Sequence, residues 1–342
     1  MTSLTKDVAP GSGVGAVGGP SDPPARQRSS FFGSPWGRHT GLFAALVALC
    51  AYGVISAADR FATGSNLELM LIQAAVIGVL SVGMTFVIIA GGIDLSVGSL
   101  VALSSVWCTT VATQELAGKT TFWVIVGVAV LVGAVCGLVN GLLIAYGPIV
   151  PFIMTLATLA AAKGLAERIS AKKTQTIDDP AFKQFFNGKI FGIQTQIIVF
   201  VLVAVVGWIV LNRTTFGRRT YAVGGNPEAA RLAGINVKLH TVLIYVLMGV
   251  CCGIAAVLLA ARVNSGSSNL GLGYELDAIA AVVIGGTLLT GGRGTIAGTF
   301  LGVLIFSVLN NVFILNNLQQ TDQQIAKGVI IVIAVLLQQR VA

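Results

Sequence analysis

Glu68-Leu-Met-Leu-Ile-Gln-Ala-Ala-Val-Ile-Gly-Val-Leu-Ser-Val-Gly-Met-Thr-Phe-Val-Ile-Ile-Ala90 carries one charge, at its first position. The apolar run that follows is long enough to cross a bilayer core of about 30 Å as a helix. Runs like it recur along all but the first part of the chain. With 342 residues, 55% of them hydrophobic and 10% charged, and a mean hydropathy of +0.88, the composition excludes a soluble domain. The fold class is therefore all-α: a polytopic helical membrane protein of about ten spans, short or re-entrant segments included. The 42 glycines suit helices that must pack closely in lipid. The net charge of +8 lies in loops and in the N-terminal tail, which points to membrane topology and away from nucleic acid.

Directly after Ala90 comes Gly91-Gly92-Ile93-Asp94-Leu95-Ser96-Val97-Gly98-Ser99. The glycines interrupt the helix and free backbone groups that need partners other than lipid. A charged Asp94 at the bilayer centre would cost about 2.5–3.5 kcal/mol. It is expected to face a protein interior, a polar cavity or the membrane surface, unless the stretch is a plain turn at the membrane edge.

Upstream, residues 1–40 are rich in Gly, Pro and Ser, a composition that cannot bury a core and predicts a disordered tail; the membrane domain then fills 41–342. The first span is expected over Gly41–Ala57, the second over Glu68–Ala90 and the third over Val97–Ala112. The fourth, Phe122–Tyr146, carries Gly133, Gly137 and Gly141 at four-residue spacing and an inward-facing candidate in Asn140. Pro148 and Pro151 set off Phe152–Ala166, either a full span or a re-entrant half-helix. Ile193–Leu211 and Thr241–Ala261 follow, the latter with the pair Gly249 and Gly253. The polar stretch Asn264–Asn269 reads as a linker to a short apolar run, Ala278–Thr290, before two final spans, over Thr295–Ile314 and up to Leu337.

Charge sets the orientation. Asn212–His240 holds Arg213, Arg218, Arg219, Arg231 and Lys238 against Glu228 alone, which predicts a cytoplasmic segment. Ten spans then place both termini in the cytoplasm and Glu167–Gly192 outside. That loop runs against the trend, with five Lys and Arg residues against three acids.

No catalytic or metal-binding constellation is found. The five cysteines lie within apolar spans without ligand or disulfide spacing, and His39 and His240 stand isolated at span ends. Gly118-Lys119-Thr120 resembles the tail of a phosphate-binding loop, but Thr113 stands where its first glycine belongs. Gly292-x-Gly294-x-x-Ala297 opens a membrane helix instead of a βαβ unit. The chain is expected to be no enzyme and to hold no cofactor of its own.

Within the basic segment lies Pro227-Glu-Ala-Ala-Arg-Leu-Ala-Gly234. Asn226 is a good N-cap, Pro227 suits the first helical position, and Gly234 suits the residue past the end. The stretch predicts a self-capped helix of about two turns, made of small side chains and shaped to dock into a cleft of another protein. Glu228, Ala229, Ala230 and Gly234 fit the Glu-Ala-Ala-x-x-x-Gly pattern of ABC importer coupling loops. With Gly83-Met84-Thr85, Gly91–Ser99, Phe216-Gly217-Arg218, Gly224–Ile235, Gly285-Gly286-Thr287, Gly291–Thr295 and Gly298 through Asn310-Asn311, the chain resembles the permease subunit of bacterial ABC-type monosaccharide importers, the group of the ribose, xylose and arabinose permeases. It departs from the wider permease pattern in lacking the Leu-Pro downstream of that loop.

The resemblance implies a homodimer in the bacterial inner membrane, with a sugar path along the dimer axis. It also implies a cytoplasmic ATPase, often two modules in one chain, holding ATP and Mg, and an external sugar-binding protein. Gly217, Arg218, Asn226, Pro227, Glu228, Ala229, Ala230, Arg231 and Gly234 become the coupling candidates. Asp94, Ser96, Ser99 and Asn140, with Phe152 as an apolar wall, become the candidates for the path. An alternative is an ion-coupled secondary transporter in which Asp94 binds a proton or sodium.

Overall fold

The computed structural model describes residues 35–341, so the expected tail lies outside the described residues up to position 34. Helices α1 (Pro35–Phe61), α2 (Gly64–Ile89), α5 (Trp123–Tyr146), α8 (Thr195–Arg213), α11 (Val237–Val263) and α13 (Ile296–Leu315) contain stretches long and apolar enough to cross a membrane. Between them stand α3 (Val97–Cys108), α4 (Val111–Lys119), α6 (Pro151–Ser170), α7 (Pro180–Phe186), α9 (Thr215–Gly225), α10 (Pro227–Leu232), α12 (Tyr274–Ile284) and α14 (Gln320–Val341). The only strands among the described residues are four of two residues each.

Two helices make the closest contact. A Cβ on Gly133 of α5 would run into the Gly249 carbonyl of α11, one on Gly137 into the Tyr245 carbonyl, and one on Gly253 into α5 at Ala129. The two small-residue stripes expected from spacing therefore face each other, and backbone meets backbone along the α5–α11 seam. Around it α2 is buried along most of its length, the central helix of the bundle.

The passes can be counted from which loops meet. Thr220 of α9 bonds His240 at the start of α11, whereas Ile177 and Asn187 bond Asn264 and Ala261 at its finish. The Arg-rich segment and the Glu167–Gly192 loop thus lie at opposite ends of the bundle. Asn316, after α13, reaches Ser56 near the C-terminal end of α1, so both termini of the described chain fall at the Arg-rich end. Ten passes result.

Two of the passes are not continuous helices. The 12 residues of α3 cover about 18 Å, little over half of a bilayer core. The expected linker Asn264–Asn269 is no surface loop. Its Gly266 packs on Ser105 and Thr109 at one end of α3, and Gly271 packs on Gly98 at the other. The segment therefore descends along α3 for about 15 Å before α12, 11 residues long, completes the pass. The Phe152–Ala166 segment, by contrast, is a 20-residue helix, α6.

The breaks before α3 and α13 meet. Gly91 and Gly291 both take positive φ, 82° and 86°, and a Cβ on Gly291 would lie 3.1 Å from the Gly91 backbone. Gly292 N–H donates to the Ile89 carbonyl at 2.8 Å, closing the orphaned C-terminus of α2 with the other turn's backbone.

Candidate coupling surface and translocation frame

Asn226 caps α10 as its residue type dictates: its Oδ1 accepts the Ala229 N–H at 3.0 Å, and Pro227 holds the first position. At the other end Gly234, at φ 82°, donates to the Arg231 carbonyl, and Ile235 donates to the Ala230 carbonyl, both at 3.0 Å. That is the paired Schellman closure, which satisfies two of the carbonyls at the end of this short helix from within the chain. Ala230 alone among the α10 side chains is buried. Pro227, Glu228, Ala229, Arg231 and Leu232 face outward, with a Glu228–Arg231 ion pair at 3.0 Å, and so do the flanking Asn226 and Gly234. So exposed a pair contributes little to stability.

Helix α9 carries α10 on the bundle. Thr214 caps it, accepting from Gly217 N–H and donating to Val210 at 2.6 Å. Gly217 is buried, and any Cβ there would strike the Leu211 carbonyl; it brings α9 against the end of α8. Arg218 is exposed. His240 is not isolated: its Nε2 lies 3.0 Å from Thr220 Oγ1 and its ring 4.6 Å from that of Phe216. Tyr221 donates its hydroxyl to the Gly294 carbonyl at 2.7 Å, and Gly224 packs on the Ile89 carbonyl and Gly292 nitrogen. α10 is thereby joined through α9 to both glycine turns.

Behind those turns lies a buried polar frame. Asp94, 1% exposed, accepts at Oδ1 from the Ser96 N–H (2.9 Å) and the Ser96 hydroxyl (2.5 Å). Asn140 of α5 donates to Ser96 Oγ at 3.1 Å and accepts from Thr158 of α6. Ser99 donates to the Ser96 carbonyl at 2.7 Å. Asp94 makes no ion pair among the described residues, and its Oδ2 is buried without a hydrogen-bond partner among them.

A family model described as "Branched-chain amino acid transport system / permease component" matches residues 66–337. The chain belongs to this permease family. The permease is similar to the ribose import permease protein of Bacillus subtilis (strain 168), 44% identical over 281 residues, covering 80% of this chain and 85% of the relative. It is also similar to the ribose import permease protein of Escherichia coli (strain K12), 38% identical, covering 90% and 95%. The L-arabinose transport system permease protein of the same strain is 38% identical over 90% of this chain and 93% of the relative. No solved structure matches.

The permease gathers Asp94, Ser96, Ser99 and Asn140 into one frame and leaves Phe152 apart, half-exposed on the outer side of α6. Two residues escape the sequence reading. Leu232, 81% exposed, is the apolar handle on α10. Thr158 completes the frame from α6. A signal for the meeting of the two turns was available: Gly91-Gly92 followed by Gly98-Ser99 recurs in order as Gly291-Gly292 followed by Gly298-Thr299.

Proposed function

We propose that this permease is the membrane subunit of an ATP-driven importer that passes a monosaccharide, a pentose or related sugar, from an external binding protein into the cytoplasm. The observation that carries it is α10, a self-capped helix with outward small side chains and an exposed Leu232, in a chain alike over nearly its whole length to sugar permeases. Energy enters there from a cytoplasmic ATPase, two modules in one chain, which holds ATP and Mg. The Arg-rich end and both termini face the cytoplasm, and the Glu167–Gly192 loop faces the binding protein. The membrane is the bacterial inner membrane.

One chain supplies one side of the path and a second copy supplies the other. Asp94, Ser96, Ser99 and Asn140 hold the wall from behind, since all four are buried. Phe152 stands on the outward face of α6, where an apolar wall for the sugar would have to be.

Purified permease reconstituted in vesicles with its ATPase and binding protein tests the reading, with labelled ribose as the first probe. Uptake should require ATP and persist when an uncoupler removes ion gradients at constant ATP. Collapse under the uncoupler would establish the secondary transporter instead. In cells, Lys172→Cys in a cysteine-free background should react only with reagent applied from outside.

A further inference from the structure

The outer faces of α5 and α8 show what this protein presents to lipid: Leu131, Val135 and Leu138 on one, Leu202, Val205 and Ile209 on the other, all exposed and apolar. The face formed by α6 and the 266–273 segment is different. Lys163 is the thirteenth residue of α6, about 18 Å along the helix and about 10 Å short of its end. Its ammonium donates to the Ser268 carbonyl at 2.5 Å and to Asn269 Oδ1 at 2.8 Å, and it lies 3.7 Å from Glu167 Oε1. The Lys163 and Glu167 side chains remain 28% and 33% exposed, and Asn269 is open.

Two physical costs argue that this face does not meet lipid. A cation at such depth against hydrocarbon is disfavoured by about 2.5–3.5 kcal/mol. A non-helical backbone at membrane depth is tolerated only inside protein or along water. The residues 266–271 run beside α3 for its whole length, and Asn269 is exposed to the outside of the chain. Lipid is therefore excluded from this face, which meets water, a polar solute or another protein surface.

We propose that Lys163, Glu167 and Asn269 form a hydroxyl-binding station on the water-facing wall of the sugar path, the wall being α6 and the 266–273 segment. This rests on the sugar-importer reading. The ammonium has three protons to give and the adjacent carboxylate only accepts. A donor and an acceptor a few ångströms apart match neighbouring hydroxyls of a neutral sugar, each of which gives and takes one bond. Lys163 already donates to Ser268 and Asn269, which holds the ammonium in place. Its remaining proton and the free carboxylate lone pairs of Glu167 are left for a solute that both gives and takes hydrogen bonds.

The test uses the reconstituted complex of permease, ATPase and binding protein, and single cysteines in a background lacking the five native ones. A charged, water-soluble methanethiosulfonate should modify Asn269→Cys about tenfold or more faster than Leu202→Cys on α8, because the thiolate it needs forms only in water. Equal rates would place the segment against lipid and overturn the wall. Lys163→Met should lower ribose uptake about tenfold, equivalent to about 1.4 kcal/mol, with ATPase co-purification unchanged and Lys163→Arg restoring part of the loss. Wild-type uptake by Lys163→Met would overturn the station. A native complex that transports none of ribose, arabinose, allose or galactose would sink the sugar-importer reading and the station with it, while the labelling ratio would still decide whether the wall meets water.

Discussion

Gly234 offers the sharpest measurement on the coupling surface. Its φ of 82° is the left-handed conformation that ends α10, and a Cβ built there meets nothing within 4 Å. A side chain therefore has room, and its penalty is purely conformational, about 1–2 kcal/mol for an ordinary residue and more for a β-branched one. α10 has six residues and anchors only Ala230, so it has little stability in reserve against that cost. If the ATPase binds only the formed helix, apparent affinity falls by the fraction of time the helix is formed. One to two kcal/mol then corresponds to about a fivefold to thirtyfold loss. The order of affinity should be Gly, then Asn, then Ala, then Val, because Asn is the side chain most tolerant of this region. The assay is the dissociation constant of the purified ATPase for each permease variant in nanodiscs, beside a thermal unfolding curve that should not move. Val equal to Gly, or Asn as poor as Val, would refute the argument from backbone conformation.

Ala229 faces outward on the same helix, and Ala229→Trp should weaken ATPase co-purification about tenfold, or about 1.4 kcal/mol, without altering the yield of folded permease. Gly137→Leu would drive a side chain into the Tyr245 carbonyl and should destabilise the α5–α11 seam by at least about 1–3 kcal/mol. A lower melting temperature reads this out, with the open Gly127→Leu as the unaffected control. Asp94→Asn keeps an oxygen for both Ser96 donors and should retain several times more ATP-driven uptake than Asp94→Ala, with no dependence on a proton or sodium gradient in either. Equal loss in the two would show that the charge, and not the turn, is what Asp94 supplies.

What the chain discloses before its structure follows how local each determinant is. The apolar runs and the ends of α10 are local, since Asn226, Pro227 and Gly234 complete their hydrogen bonds within a few residues of themselves. The glycine stripes of α5 and α11 were also visible, although only the structure shows that each is the other's partner. The Asn264–Asn269 stretch does link α11 to α12, but its packing along α3 was not legible, because Ser, Gly and Asn satisfy backbone groups equally well in water and against protein. Composition alone cannot tell these environments apart. Gly217 stands among the coupling candidates, and only the structure shows that its missing side chain makes room for the Leu211 carbonyl behind it. Lys163 stood unremarked in a mixed-charge helix end, because its meaning depends on its depth and on Ser268 and Asn269, more than a hundred residues away.

The same long-range contacts explain how a surface helix and a buried carboxylate belong to one apparatus. α10 has one buried side chain and cannot transmit a push by itself. It is continuous with α9, which is fastened by Thr220 to His240 on α11, by Tyr221 to Gly294, and by the bare backbone of Gly224 to Ile89 and Gly292. α11 also carries Tyr245, whose hydroxyl lies 3.5 Å from the Ile93 carbonyl beside Asp94. A displacement of α9 is thus delivered both to the glycine turns, the least helical points of their passes, and to the helix that abuts the Asp94 frame. The Ser96, Asn140 and Thr158 bonds span three elements, so the turn cannot yield without moving α6. Lys163 stands on that helix, so on the proposed reading a push applied at α10 would have a continuous hydrogen-bonded and packed route to it.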